Sequence, residues 1–335
     1  MDYSKGYSAR YILALINPKT WTEYEEYEFT SATISKQNSS DLIESATIEM
    51  TEEIGTGENY IRLYLEAIQN GISERIALFT GLATTPERKI KGTIETYSID
   101  AYSILKNTSD VILPIGYYAP VGSGAELVKE LLSDSPAPIS IEGTSPVISE
   151  SIVASNGDTK LDMISEILTA INWHIRISGD GGIKIQPYKT DEKVKIGANN
   201  DLIETSVTES EDWYSCPNVL IAITESDGNA TVKDEDPESK FSIVSRGREI
   251  WECETGVTLS DNENIAEYAQ RRLKELQEPS KTLSYTRRFA PEATVNDVVE
   301  INYPGQKLMG KYRVTSQTLK LGYACKTSEE VVKID

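Results

Sequence analysis

Histidine, cysteine, phenylalanine and positive charge are all scarce in this chain of 335 residues, which has one His, three Cys, four Phe, and 33 Lys and Arg against 53 Asp and Glu. The single imidazole, His174, is the only group through which Ser-His-Asp or Cys-His machinery could run, and metal centres that hydrolyse usually draw on several histidines. Because it alternates with Trp173 and Ile175 in a strand-like stretch, His174 reads as an exposed residue on the wet face of a strand. Cys216, Cys253 and Cys325 are odd in number, far apart and without a C-x-x-C pair, so neither a disulfide framework nor a zinc knuckle is indicated and a reducing cytoplasm is expected. The balance of −20 excludes a protein that grips duplex DNA or an anionic membrane, since both need clustered bases. No long apolar run occurs: the stretch Tyr11–Ile16 near the amino terminus is too short for a signal peptide or a membrane anchor.

What is present is the composition of a folded protein, 39% apolar and 26% charged, long enough for two or three domains. Eighteen tyrosines with many Thr, Ile and Val favour pleated surfaces, buried on one side and wet on the other. Ile61, Leu63, Leu65 and Ala67 alternate with Arg62, Tyr64 and Glu66, and Asn70-Gly71 then predicts a tight hairpin into a strand over Glu74–Phe79. With strand-like segments around Glu28–Ile34, Ile43–Met50 and Lys91–Tyr102, residues 1–108 read as an antiparallel β domain, a barrel.

After Pro114 the pattern changes. Ser123 and Glu126 have capping-box spacing before a short helix ending near Ser133, and Asp158 or Thr159 opens a second helix that ends near Asn172. Trp173–Ile177 and Ile183–Ile185 flank Gly179-Asp180-Gly181-Gly182 as a hairpin, so 109–200 is an α+β insert. Residues 201–335 return to strands, with a second hairpin signal at Ser226-Asp227-Gly228 and a helix over 261–277 opened by Ser260 and Glu263 and stopped by Pro279. This region reads as a second β-barrel domain whose closing strands can interleave with the first.

This order of elements resembles the baseplate hub proteins of phage tails, and most of all the hubs of defective prophages and contractile tail-like bacteriocins. The resemblance rests on the helix-and-hairpin texture of Leu161–Tyr188, then Cys216-Pro217-Asn218-Val219-Leu220-Ile221, Ser242-Ile243-Val244-Ser245-Arg246-Gly247-Arg248-Glu249-Ile250, an Ala/Arg/Leu helix, Val295-Asn296-Asp297-Val298-Val299 and Gly310-Lys311-Tyr312-Arg313-Val314. It implies a β-rich α+β fold with two related tail-tube-like β-barrel domains. Three chains would assemble as a pseudo-sixfold ring that adapts the sixfold tail tube to a threefold central spike. It also implies a structural role in a virion or tail-like particle, with tube, spike and other baseplate proteins as partners, no membrane insertion and no specific grip on DNA that passes through. Some relatives fuse a peptidase or lysozyme domain, for which this chain has no room after its closing strands, so no enzymatic activity is expected.

The residues nominate no catalytic, cofactor or metal site. With 53 acids a carboxylate pair of glycosidase spacing is always available and therefore uninformative, which leaves a tail-associated cell-wall hydrolase or a carbohydrate-binding adhesin as alternatives. Gly122-Ser123-Gly124 lacks the Lys-Ser/Thr of a phosphate loop, and Trp213-Tyr214 and Tyr117-Tyr118 suit sheet-edge or subunit packing better than sugar stacking. Charge is segregated: residues 201–261 carry 15 acids against Lys233, Lys240, Arg246 and Arg248. In a ring this excess suggests an acidic channel wall that repels a polyanion in transit, with Glu23, Glu25, Glu26, Glu28, Asp234, Glu235, Asp236 and Glu238 as its expected lining.

Overall fold

In the strand Ser8–Asn17 the stretch Tyr11–Ile16 is apolar on both faces because both are covered there. On one face Leu13 and Leu15 join Ile34, Ile48, Ile61, Leu63, Phe79 and Ile99 in the main core, and on the other Ile12, Ala14 and Ile16 are also buried. The computed structural model describes residues 1–335 except 4, 56, 198–202, 225–227, 258–263, 304, 306, 323–324 and 335, and describes 203–205 by backbone alone. It divides into two units, Met1–Val207 with Ser284–Asp335, and Thr208–Leu283.

The first unit is built on one large sheet. Its hydrogen-bonded order is Ile203–Glu211, Lys281–Arg287, Lys326–Lys333, Leu308–Leu321, Ser31–Gln37, Glu44–Met50, Ile94–Ser103, Ile72–Ala83, Asn59–Gln69, Ser8–Asn17 and Thr22–Glu28. From Lys326–Lys333 onward every step is antiparallel. Where the sequence led us to expect closed barrels, the order is open: no pairing joins its first and last strands among the described residues. The hairpin at Asn70-Gly71 forms as expected, with φ of 52° and 78°, the left-handed pair that a tight two-residue turn requires.

A row of polar side chains crosses the sheet at one edge of its core. Gln317 stands between Glu329 and Lys36, and Lys36 lies beside Glu44 on the next strand; all four are buried. The Arg287 guanidinium clasps Glu329 at 2.8 and 2.6 Å with both side chains fully enclosed, and the Tyr285 hydroxyl and Gln317 amide donate to the same carboxylate at 2.9 and 2.8 Å. Lys36 pairs with Glu44 at 2.9 Å, while burial pushes the Glu44 carboxyl up against that cation. Taking such charges out of water costs several kcal/mol per ion, and only pairing with full hydrogen bonding offsets it.

The insert packs its two helices, Gly124–Leu131 and Lys160–Ile171, with the hairpin Trp173–Ile177 and Ile183–Pro187 around a second core of Val128, Leu132, Ile164, Ile167 and Ile185. Thr159 caps the longer helix in a reciprocal box with Asp162, and Asn172 ends it in the left-handed region at φ 53°. Ser123 occupies the cap position of the shorter helix but its side chain makes no cap bond.

In the second unit the strands Asn229–Lys233, Val219–Ile223 and Trp251–Glu254 form a sheet with the helix Ile265–Leu276 on one face, where Leu220 and Ala222 meet Ala269 and Leu273. The expected helix opening at Ser260 and Glu263 lies outside the described residues; the cap is Asn264, boxed with Glu267. Of the turn Ser226-Asp227-Gly228 only Gly228 is described, and it has the positive φ of 86° that the turn needs. No helix among the described residues is long and apolar enough to cross a membrane.

His174 departs from its expected place. It is 7% exposed, because the strand Trp173–Ile177 is covered on both faces: the ring stacks on Tyr188 at 4.6 Å and lies 3.4 Å from the amide nitrogens of Asn296 and Gln186. Burial, reinforced by the Arg176 and Arg313 guanidiniums, lowers its pKa to about 4.

Two outcomes follow from these buried groups. Glu329→Ala leaves an unpaired guanidinium in the core and should cost about 3–5 kcal/mol in equilibrium urea denaturation. The double variant Arg287→Met/Glu329→Leu, which removes both charges of this pair, should be destabilised less than that single change. For His174 the unfolded chain, with a pKa of about 6.5, binds a proton that the folded chain refuses until about pH 4. Its contribution is complete above about pH 6.5 and is lost as pH falls to about 4. Wild type should therefore lose about 3 kcal/mol relative to His174→Gln over that window, and parallel stability-pH curves for the two proteins would contradict the assignment.

Candidate functional site

The strand Thr22–Glu28, which carries the first acidic cluster, is the last strand in the order of the large sheet and is paired on one side only among the described residues. A bulge opposite Leu15 and Ile16 puts an extra residue, Tyr24, into this edge strand. The register slip turns Glu23 onto the same face as Glu26 and Glu28, so three of the four nominated acids look the same way. That face is not a bare acidic wall. Arg10 donates to Glu28 at 2.8 Å, Arg62 to Glu23 at 2.7 Å, and Arg75 to Glu26 at 2.9 Å, with its guanidinium 3.9 Å from the centre of the Tyr64 ring. Glu25 points to the opposite face and has no ion-pair partner within 4 Å among the described residues.

Arg62 is the centre of this arrangement. It is 7% exposed, and besides Glu23 it donates to the Thr80 hydroxyl at 3.0 Å and to the Asp180 carbonyl at 2.7 Å, beneath the Trp21 ring. The Asp180 carbonyl belongs to the glycine-rich turn of the insert hairpin, and the neighbouring Gly179 carbonyl accepts from Thr80 at 2.7 Å. Gly179 is obligatory here, since a Cβ would sit 1.8 Å from the Ala77 carbonyl oxygen. The run Gly179-Asp180-Gly181-Gly182 is thus a docking turn that seats the insert on the outer face of the sheet. Burial and the Glu23 hydrogen bond raise the pKa of Tyr64 in the same network.

The second acidic cluster, Asp234, Glu235, Asp236 and Glu238, lies in the second unit after the strand Asn229–Lys233. Its aspartates serve their own loop. Asp234 accepts from the Ser239 hydroxyl at 2.6 Å, the Gln277 amide at 2.9 Å and the Asp236 N–H at 3.1 Å, and Asp236 accepts from the Glu238 N–H at 2.9 Å. Glu235 and Glu238 are exposed. Neither cluster converges on a point, and among the described residues no group of three or more His, Cys, Asp or Glu is placed to hold a metal ion.

A cleft of about 390 Å³ in the first unit is lined by residues that include Asn38, Thr169, Asn172, His174, Tyr188 and Asn296. The Asn296 side-chain oxygen is buried there without a protein partner, and neither a carboxylate nor a hydroxyl is among the hydrogen-bond partners of His174. The sequence reading passed over the arginines that neutralise Glu23, Glu26 and Glu28. Their signal was the placement of Arg62 and Arg10 on the outward alternation of their strands, respectively two strands and one strand away from a strand whose charged residues are all acids.

No family model and no curated protein matches the sequence. Similarity to solved structures is extensive. The 43 kDa tail protein of prophage MuSo2 from Shewanella oneidensis superposes with a TM-score of 0.67 over 98% of both chains at 13% identity. A tail protein from Neisseria meningitidis MC58 gives 0.69 over 98% of this chain and 97% of that one at 11% identity. A prophage tail protein from Listeria monocytogenes EGD-e gives 0.54 over 97% and 94% at 14% identity. Over essentially its whole length, the chain has the fold of these phage tail proteins.

Proposed function

We propose that the protein is the structural hub at the tip of a phage tail or tail-like particle. Three copies form a ring, and each contributes two related β domains, so that a pseudo-sixfold face meets the tail tube and a threefold face meets the central spike. Tube, spike and other baseplate proteins are its partners, and its role is non-enzymatic. The observation that carries this reading is the fold shared with prophage tail proteins over nearly the full length of both chains.

Two physical features support it. A net charge of −20 per chain gives a ring a strongly negative field, suited to a channel wall that a polyanion passes without being held. Of the acids proposed to line that channel, Glu25, Glu235 and Glu238 have no cationic partner within 4 Å among the described residues, whereas Glu23, Glu26 and Glu28 are locally neutralised. The large sheet also presents an edge strand, Thr22–Glu28, at one margin, most of whose residues are exposed.

Light scattering on the purified chain tests the reading: the expected mass is that of three 37.2 kDa chains, with threefold particles around a central hole in negative-stain images. A monomer at every concentration, or clearing of cell-wall zymograms that one carboxylate replacement abolishes, would overturn it.

A further inference from the structure

Three of the seven described non-glycine residues with positive φ line one space, the cleft of about 390 Å³: Ile43 at 63°, Asn172 at 53° and Asn296 at 70°. Asparagine tolerates this region, but a β-branched residue is a genuine outlier there, and strain of about 1–3 kcal/mol per residue gathers at sites that hold ligands. The Ile43 outlier belongs to a closed loop. Its N–H donates to the Ser40 carbonyl at 2.9 Å, and its carbonyl accepts from the Gln37 N–H at 2.7 Å. The turn so formed presents Asn38, Ser39, Ser40 and Asp41, all exposed, whose side chains make no hydrogen bond among the described residues. Asn172, which ends the helix Lys160–Ile171, likewise keeps its amide unused. Asn296 is 7% exposed, and its side-chain oxygen is a buried acceptor without a donor among the described residues.

The chemistry of the lining selects what enters. No Lys or Arg is among the residues that line the cleft, and burial keeps His174 uncharged above about pH 4. The two guanidiniums that act on His174 are committed elsewhere: Arg176 pairs with Asp297, and Arg313 covers Tyr188 and donates to the carbonyls of Asn296 and Lys189 at 2.9 and 3.2 Å. An anion therefore finds no cation, and a cation finds one solvated carboxylate, Asp41. An apolar guest would strip water from the amides and hydroxyls without replacing its hydrogen bonds, at about 1–3 kcal/mol for each group left unmade. What fits is a neutral molecule with several groups that each donate and accept, as the facing Asn, Ser and Thr side chains do, and with an apolar face for the buried Leu105, Ile164 and Leu168.

We infer that this cleft binds a neutral saccharide, with sugar hydroxyls bonded to the amides of Asn172 and Asn296 and to the Asn38–Ser40 side chains, and the C–H face of the ring against the leucines. The last torsion of an asparagine has no sharp minimum, so the Asn296 amide turns to meet a donor that arrives in the cleft. The inference is independent of the hub reading, which gives this cleft no role.

Isothermal titration of the full chain tests it, with glucose and N-acetylglucosamine as neutral probes and glucosamine and glucuronate as charged counterparts of the same ring. At least one neutral sugar should bind, and about tenfold or more tighter than either charged counterpart. Asn172→Gly and Asn296→Gly each remove one amide at a position whose positive φ suits glycine, so the circular dichroism spectrum should be unchanged while affinity for that sugar falls about tenfold or more. Absence of heat with both neutral sugars overturns the inference. Equal affinity for glucosamine or glucuronate overturns the neutral class of ligand, and an unchanged affinity in either glycine variant overturns the placement in this cleft. None of these results bears on whether the chain is a trimer.

Discussion

One buried guanidinium fixes how the first unit is put together. Arg62 cannot remain charged under cover without several acceptors, and it finds them in three separate parts of the chain: the edge-strand carboxylate of Glu23, the Thr80 hydroxyl and the carbonyl of Asp180 in the insert. Satisfying that one side chain imposes conditions elsewhere. The edge strand needs its bulge to turn Glu23 toward the arginine, and the insert hairpin needs Gly179 to bring its backbone against Ala77. Trp21 must close the remaining side, and it takes a left-handed backbone at φ 55° to do so. Strain, bulge and bare backbone occur together because they serve the same charge.

A second constraint of the same kind acts at the other margin of the sheet. The strand Leu308–Leu321 enters between Ser31–Gln37 and Lys326–Lys333, joining segments nearly 300 residues apart in sequence. Apolar burial alone tolerates a slip of two residues along such a strand, since the same face stays inward. The row of Glu329, Gln317, Lys36 and Glu44 does not tolerate it: a slip would leave buried charges facing aliphatic side chains. Specificity of register for so non-local a pairing is thus carried by polar groups, while the stability around them comes from the adjoining apolar core.

These two networks mark what could and could not be read from the chain alone. Local features were legible where one short-range rule decides them: the Asn70-Gly71 turn, the Thr159 cap and the alternation of Ile61 to Ala67 all form as their patterns predict. The long-range pairings were not, because alternation states which face is buried but not which strand lies alongside. His174 shows the limit clearly. Its neighbours Trp173 and Ile175 do face a core, but the opposite side of the strand is closed by Tyr188 and Asn296, from segments whose arrival no local pattern announces. The acid-rich Thr22–Glu28 strand was legible as a cluster and not as a set of ion pairs, for the same reason: Arg10, Arg62 and Arg75 reach it across strands.

Net charge per segment is therefore a poor guide to surface potential in this fold. Glu23, Glu26 and Glu28 make a strongly acidic stretch of sequence and a nearly neutral stretch of surface, whereas Glu52, Glu53 and Glu58 are fewer per residue and have no ion pair within 4 Å among the described residues. The same inversion holds for the bases: the most acidic segment of the chain displays Lys240 and Arg248 on open aromatic rings. A chain with an excess of like charge associates with itself only through places where that excess is locally cancelled or reversed, because uniform repulsion between copies opposes every other contact. The uncompensated charges of each sign, taken after the internal pairs are removed, are the ones left to specify how copies meet.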